Sequence, residues 1–140
     1  MLFFLLATAA SISLANAQKI ANKDVPSVVK SALQKNYPNA THVKWEKEKD
    51  NYEAGFEMIK EDYSVLFDAS GKIVETEIEI NATTLPANIL TYVAQNFPGK
   101  KIKEAAKITD AKGMITYEAE VDGTDLLFDR SGTFLKAVKG

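Results

Sequence analysis

The sequence predicts an α+β protein built as a tandem duplication, each copy one helix packed on a four-stranded antiparallel sheet. Three observations predict it. The first is an internal repeat. Val25-Pro26 recurs as Leu85-Pro86 and Tyr37-Pro38 as Phe97-Pro98, both 60 positions on; Tyr52-Glu53-Ala54 recurs as Tyr117-Glu118-Ala119, and Phe67-Asp68-Ala69-Ser70-Gly71 as Phe128-Asp129-Arg130-Ser131-Gly132. The second is a helical apolar spacing at the head of each copy, in Val25, Val28, Val29, Ala32 and Leu33 and again in Leu85, Ile89, Val93 and Phe97. The third is the period-two alternation that follows it.

The copies are placed at residues 24–80 and 84–140, with residues 81–84 as the linker. Pro26 and Pro86 suit the first turn of a helix, where a missing N–H has no intrahelical partner. Pro38 and Pro98 end the helices, because the residue before proline is pushed out of the α region. Val43, Trp45, Tyr52, Ala54, Phe56, Met58, Tyr63, Val65 and Phe67 then point to one side of a sheet. In the second copy Ile115, Tyr117, Ala119, Val121, Leu126 and Phe128 do the same, and Ile73, Ile78, Ile80 and Phe134 begin or fill a last strand.

Residues 1–17 carry no charged side chain. The apolar run 2–14 has the length of a signal-peptide h-region and is too short to span a bilayer comfortably. It ends in Ala15-Asn16-Ala17, a small-x-small cleavage pattern, although no Lys or Arg precedes it. Residues 1–17 are therefore expected to be a signal peptide, and the mature chain to be periplasmic or secreted. Position 18 is Gln, so lipoprotein-type lipidation is not expected.

Composition excludes several classes. Seventeen basic against nineteen acidic side chains give a net charge of −2, unlike a basic nucleic-acid binder. The absence of Cys removes disulfides, thiolate nucleophiles and Cys-ligated metal, and a single His removes His-pair sites. No Gly-rich phosphate loop, H-E-x-x-H or G-x-S-x-G occurs. No catalytic, cofactor or metal site is expected.

The repeated Asp-x-Ser-Gly reads as a hairpin turn, with Asp bonding the backbone ahead of it and Gly supplying a positive φ. Glu75, Glu77 and Glu79 alternate along one strand and read as a solvent face. His42 reads as a surface residue, and Lys100, Lys101 and Lys103 as a solvated loop. Lys44, Glu46, Glu48, Glu53, Glu57 and Leu66 fall on the side opposite the core, as do Glu118, Glu120 and Leu127 in the second copy. An apolar centre in a charged field suits modest, specific protein contact, so these nine residues form a candidate partner face, while Leu66 and Leu127 equally suit packing one sub-domain on the other.

Val25-Pro26, Tyr37-Pro38-Asn39-Ala40, Tyr52-Glu53-Ala54 and Phe67-Asp68-Ala69-Ser70-Gly71, followed by their second copy, resemble the β-lactamase-inhibitor-like, PepSY-like family of secreted bacterial proteins. The resemblance covers residues 24–140, and the second copy departs from it at Gly99-Lys100. It implies export and a tandem helix-on-sheet fold, and it implies no established activity. The expected function is thus an exported, non-catalytic binding or inhibitor-like module. Its expected partner is an exported protein such as a hydrolase or protease, with no nucleic acid and no membrane span. The alternatives are a small-ligand carrier, a carboxylate-dependent hydrolase and a purely structural periplasmic protein.

Cleavage is expected between Ala17 and Gln18. Intact mass of the exported protein measures it, and a product retaining residues 1–17 would contradict the signal-peptide reading.

Overall fold

The structure is a computed structural model that describes residues 17–139. The chain divides into two compact units, with the boundary between Thr76 and Glu77. Unit one carries β1 (Gln18–Ile20), α1 (Ser27–Asn36), β2 (Thr41–Glu48), β3 (Asn51–Met58) and β4 (Glu61–Phe67). The boundary falls inside β5 (Ile73–Ile80). Unit two carries α2 (Ala87–Asn96), β6 (Ile102–Asp110), β7 (Ile115–Val121), β8 (Thr124–Asp129) and β9 (Phe134–Lys139). The fold class is α+β, with two helices and nine strands among the described residues.

Each helix opens on a proline carbonyl. Pro26 O accepts from the N–H groups of Val29 (3.0 Å) and Lys30 (3.1 Å), and Pro86 O from Ile89 (3.0 Å) and Leu90 (3.4 Å). The prolines thus cap the helices one residue before the first helical position. The sequence had suggested the first turn itself. At the other end Tyr37 (φ −134°, ψ 67°) and Phe97 (φ −131°, ψ 61°) have left the α region, as residues preceding proline do.

The buried stripes of the helices meet the expected sheet side. Val25, Val29 and Leu33 pack with Trp45, Ala54, Phe56, Val65 and Phe67 in unit one. Leu85, Ile89 and Val93 pack with Ala105, Ala119, Val121, Leu126 and Phe128 in unit two. Register places these residues side by side: Trp45 faces Ala54 and Ala54 faces Val65, while Ala105 faces Ala119 and Ala119 faces Leu126. Val28 on α1 and Val43 on β2 are the exceptions, both exposed. A register shift between Thr41 and Lys44, with His42 at φ +54°, turns Val43 out of the core and leaves it exposed.

Two elements were not visible in the reading above. β1 lies upstream of the first copy, with Ile20 opposite Trp45. Ile20 packs on the first core and Ile80, 60 positions later, on the second. Each is followed by a short 3-10 turn, Asn22–Asp24 and Ala82–Thr84, so the second of these occupies the expected linker. β6 begins at Ile102, which puts Lys103 in a strand and leaves Lys100 and Lys101 in the loop.

The Asp-x-Ser-Gly motifs are turns. Asp68 Oδ1 accepts from the N–H of Ser70 (2.9 Å) and of Lys72 (3.0 Å), and Asp129 Oδ1 from Ser131 and Thr133 (both 2.9 Å). Asp110 builds a third such turn, accepting from Lys112 (2.8 Å) and Met114 (2.9 Å). Gly71 stands at φ +87°, where an added Cβ would lie 3.0 Å from the carbonyl oxygen of Val28 on α1. Gly71→Val should therefore cost about 2–4 kcal/mol, left-handed strain plus a backbone clash. Gly99→Ala, at φ +76° with open space around it, should cost only the strain of about 1 kcal/mol. Urea denaturation of both variants measures the difference.

Candidate functional site: the carboxylate-bearing sheet side

Strand register fixes the side opposite each core. In unit one Glu46 faces Glu53 and Glu53 faces Leu66; one step along, Lys44 faces Gly55 and Gly55 faces Ser64; further on, Glu57 faces Asp62. With Glu48, which shares its side of β2 with Glu46, the six expected residues of this copy lie on one side. In unit two Ala106 faces Glu118, Glu118 faces Leu127 and Leu127 faces Lys136. The neighbouring row is Glu104, Glu120 and Asp125. Glu118, Glu120 and Leu127 therefore also share a side.

Side and solvent access turn out to be different properties. Lys44 and Glu57 are exposed, and Glu46 and Glu120 are half-buried. Glu48, Glu53 and Glu118 are buried, and Leu66 and Leu127 are 0 and 1% exposed. Glu75 and Glu77, expected to face solvent, are buried as well, and Glu79 is half-buried. The expectation of an open polar face fails here because Ser64, Val65, Leu66 and Phe67 are buried in succession, as are Leu126, Leu127 and Phe128. Water is excluded from both sides of β4 and β8 at these positions. Alternation tells which way a side chain points and not whether that side is wet.

Burial makes the carboxyls unusual acids. The Glu53 pKa is pushed up to about 8, first by desolvation and then by the charges of Glu46, Glu48 and Glu75. Burial also raises Glu48, opposed by Lys49 and reinforced by Glu46. Asp125 is raised by burial and by its row neighbours Glu120 and Glu104. Asp68 is lowered instead, because the hydroxyl of Ser70 and the turn N–H groups favour its charged form. Exposed Glu57 meets the His42 Nδ1 at 3.2 Å on the surface.

Glu75, Glu104 and Asp125 belong to this arrangement but are not among the nine candidates of the sequence reading, which took Glu75 for part of a solvent face. The last two were within reach of that reading. The two-residue turn Asp122-Gly123, both at positive φ, fixes Val121 opposite Thr124 and so Glu120 opposite Asp125. Among the described residues no three His, Cys, Asp or Glu side chains are placed to hold a metal ion. No helix among them is long and apolar enough to cross a membrane.

The family model described as "Putative beta-lactamase-inhibitor-like, PepSY-like" matches residues 13–75 and 57–136. The chain belongs to this family. No curated protein matches it. Among solved structures it is similar to a "putative periplasmic" protein from Bacteroides eggerthii, with 22% identity, a TM-score of 0.76 and 81% of this chain and 88% of that one covered. A DUF2874 family protein from Bacteroides uniformis gives 24% identity and a TM-score of 0.73 over the same shares. A "BLIP-like protein" from Bacteroides fragilis gives 25% identity and a TM-score of 0.63, covering 81% of this chain and 84% of that one. The first two likenesses show the fold alone.

The burial of the two leucines has a measurable consequence. Leu66→Ala and Leu127→Ala should each cost about 2–5 kcal/mol, as buried truncations do, against the few tenths expected at a wet surface. Chemical denaturation distinguishes the two.

Proposed function

We propose that this PepSY-like family member is an exported, non-catalytic protein-recognition module. In this reading the repeats span 24–80 and 84–140, each a helix on a four-stranded sheet, and the partner is an exported protein such as a hydrolase or protease. The observation that carries it is the pairing of like charges across strands. Exposed Glu57 faces exposed Asp62, and Glu104, Glu120 and Asp125 follow one another across three strands. Like charges directly opposite weaken a sheet, so a role outside folding accounts for them. A surface rich in carboxylates complements a basic one, which steers encounter and selects among partners more than it adds affinity.

Exposure divides the candidate residues into two groups. Lys44, Glu46, Glu57 and Glu120, joined by Glu104 and Asp125, are accessible enough to touch a partner. Leu66, Leu127, Glu48, Glu53 and Glu118 share that side but are buried. The family description and the likeness to a BLIP-like protein favour recognition over chemistry. The hydrolase reading rests on Glu53 alone, a carboxyl protonated at neutral pH as a general acid must be.

The test is affinity capture from periplasmic extract, read by mass spectrometry. Glu46→Lys combined with Glu57→Lys should weaken capture of the specific partner at least tenfold while unfolding stays cooperative. Undiminished capture would exclude this side. Hydrolysis of any substrate that Glu53→Gln abolishes would overturn the non-catalytic reading.

A further inference from the structure

Among the described residues every buried charged side chain is a glutamate, and no Lys, Arg or His is buried beside them. Four carboxyls gather in unit one. Glu46 and Glu53 are directly opposed across β2 and β3, which brings their β-carbons to about 5 Å. Glu48 lies two residues along β2 on the same side, and Glu75 on β5 is near enough for its charge to act on Glu53. Glu48, Glu53 and Glu75 are buried. The Glu48 Oε2 is itself buried and has no hydrogen-bond partner.

Ionising Glu48 and Glu53 is opposed here, because burial desolvates the charge and the neighbouring carboxyls repel it. Metal coordination does not relieve it, since no three of these groups are placed to hold an ion. We propose that buried Glu48 and Glu53, set beside Glu46 and Glu75, form a proton-holding group that makes unit one a pH-sensitive element, closed while these two carboxyls hold protons and loosened when they ionise.

The surrounding charges leave the protons to do this. On β1, Lys19 lies opposite Glu46, and on β2 Lys44 shares its side; both are exposed. Lys49, exposed in the turn after β2, lowers Glu48 without cancelling its rise. β3 contributes Asn51, Gly55 and exposed Glu57, which pairs with His42. β4 contributes Ser64, Leu66 and exposed Asp62, and on β5 Glu77 and Glu79 follow Glu75. The second copy has Ala106 in the place of Glu46, so the opposed pair belongs to unit one alone.

The direction of the effect follows from linkage. The ordinary glutamate value is 4.5 and that of Glu53 is about 8. The stability this group contributes is complete below 4.5 and is lost as pH rises through 8, with the folded state holding the extra proton between. The test uses the exported protein alone and so is independent of any partner. The urea midpoint of the wild type should fall between pH 5 and pH 8.5. Glu53→Gln should flatten that slope and raise the midpoint at pH 8, and Asp62→Asn, on the exposed part of the same side, should keep the wild-type slope. Calorimetry at pH 7 in phosphate and in Tris should show unfolding releasing about one proton. A wild-type midpoint that stays flat or rises over this range, a Glu53→Gln variant with the wild-type slope, or proton uptake on unfolding would each overturn the proposal.

Discussion

One carboxylate oxygen at the end of β4, repeated at the end of β8, decides on which side of the sheet the neighbouring side chains fall. Asp68 Oδ1 gathers two backbone N–H groups from the turn ahead of it, and Asp129 Oδ1 does the same. The turn is closed again by backbone bonds, Asp68 N–H to Lys72 O and Asp129 N–H to Thr133 O, both 2.9 Å. A register so pinned cannot slip by one residue without exchanging the two sides of a strand. Here a slip would trade Val65 and Phe67 for Ser64 and Leu66. The same turns touch the helices, Gly71 against Val28, and Ser131 O accepting from the Asn88 amide at 2.6 Å. Helix position and strand register are thereby tied to one local motif.

Given that register, each strand has two jobs. The core side carries the aromatic clusters, arranged differently in each unit. Phe56 and Tyr63 stack at 5.3 Å with Tyr37 tilted against both in unit one, whereas Tyr92 stacks on Phe134 at 4.8 Å and meets Phe128 edge-on in unit two. The opposite side carries carboxyls around a buried leucine in each unit. A carboxyl next to an apolar side chain and another carboxyl is poorly solvated, which is why Glu53 behaves as a weak acid while Asp68, in a ring of donors, behaves as a strong one.

The family, the α+β class, the helices and most of both cores were legible in the sequence, because repetition doubled every signal: landmarks recur in fixed order at offsets of 60, 65 and 61 positions. β1 was lost because three residues are too few to show a period. β6 was lost because its basic start resembled a loop. The turn at Asp110 uses Asp-Ala-Lys-Gly, lacking the serine that marked the other two. Orientation of the nine candidate residues was legible, since alternation encodes it. Their burial was not, because it depends on what lies over a strand, and no local pattern reports that. The turn Ile59-Lys60 shows the same limit. Both residues stand at positive φ, where the matching turn of the second copy has Asp122-Gly123, and nothing in a β-branched residue announces a left-handed backbone.

The two units share a strand register and differ in the charges set on it. Where unit one has Lys44, Gly55 and Ser64 in a row, unit two has Glu104, Glu120 and Asp125. Where unit one opposes Glu46 to Glu53, unit two opposes Ala106 to Glu118. The consequence is a division of labour by water. In unit two the acidic row is half-buried, so its charges remain in contact with solvent and can act at a distance on an approaching surface. In unit one the opposed pair adjoins buried Glu48 and Glu75, so ionisation there works against the fold itself. A rise in pH therefore removes the protons that hold unit one closed. A half-buried acidic row and a buried carboxyl group thus lie on corresponding strands of the two units, separated by which side chain stands opposite one glutamate.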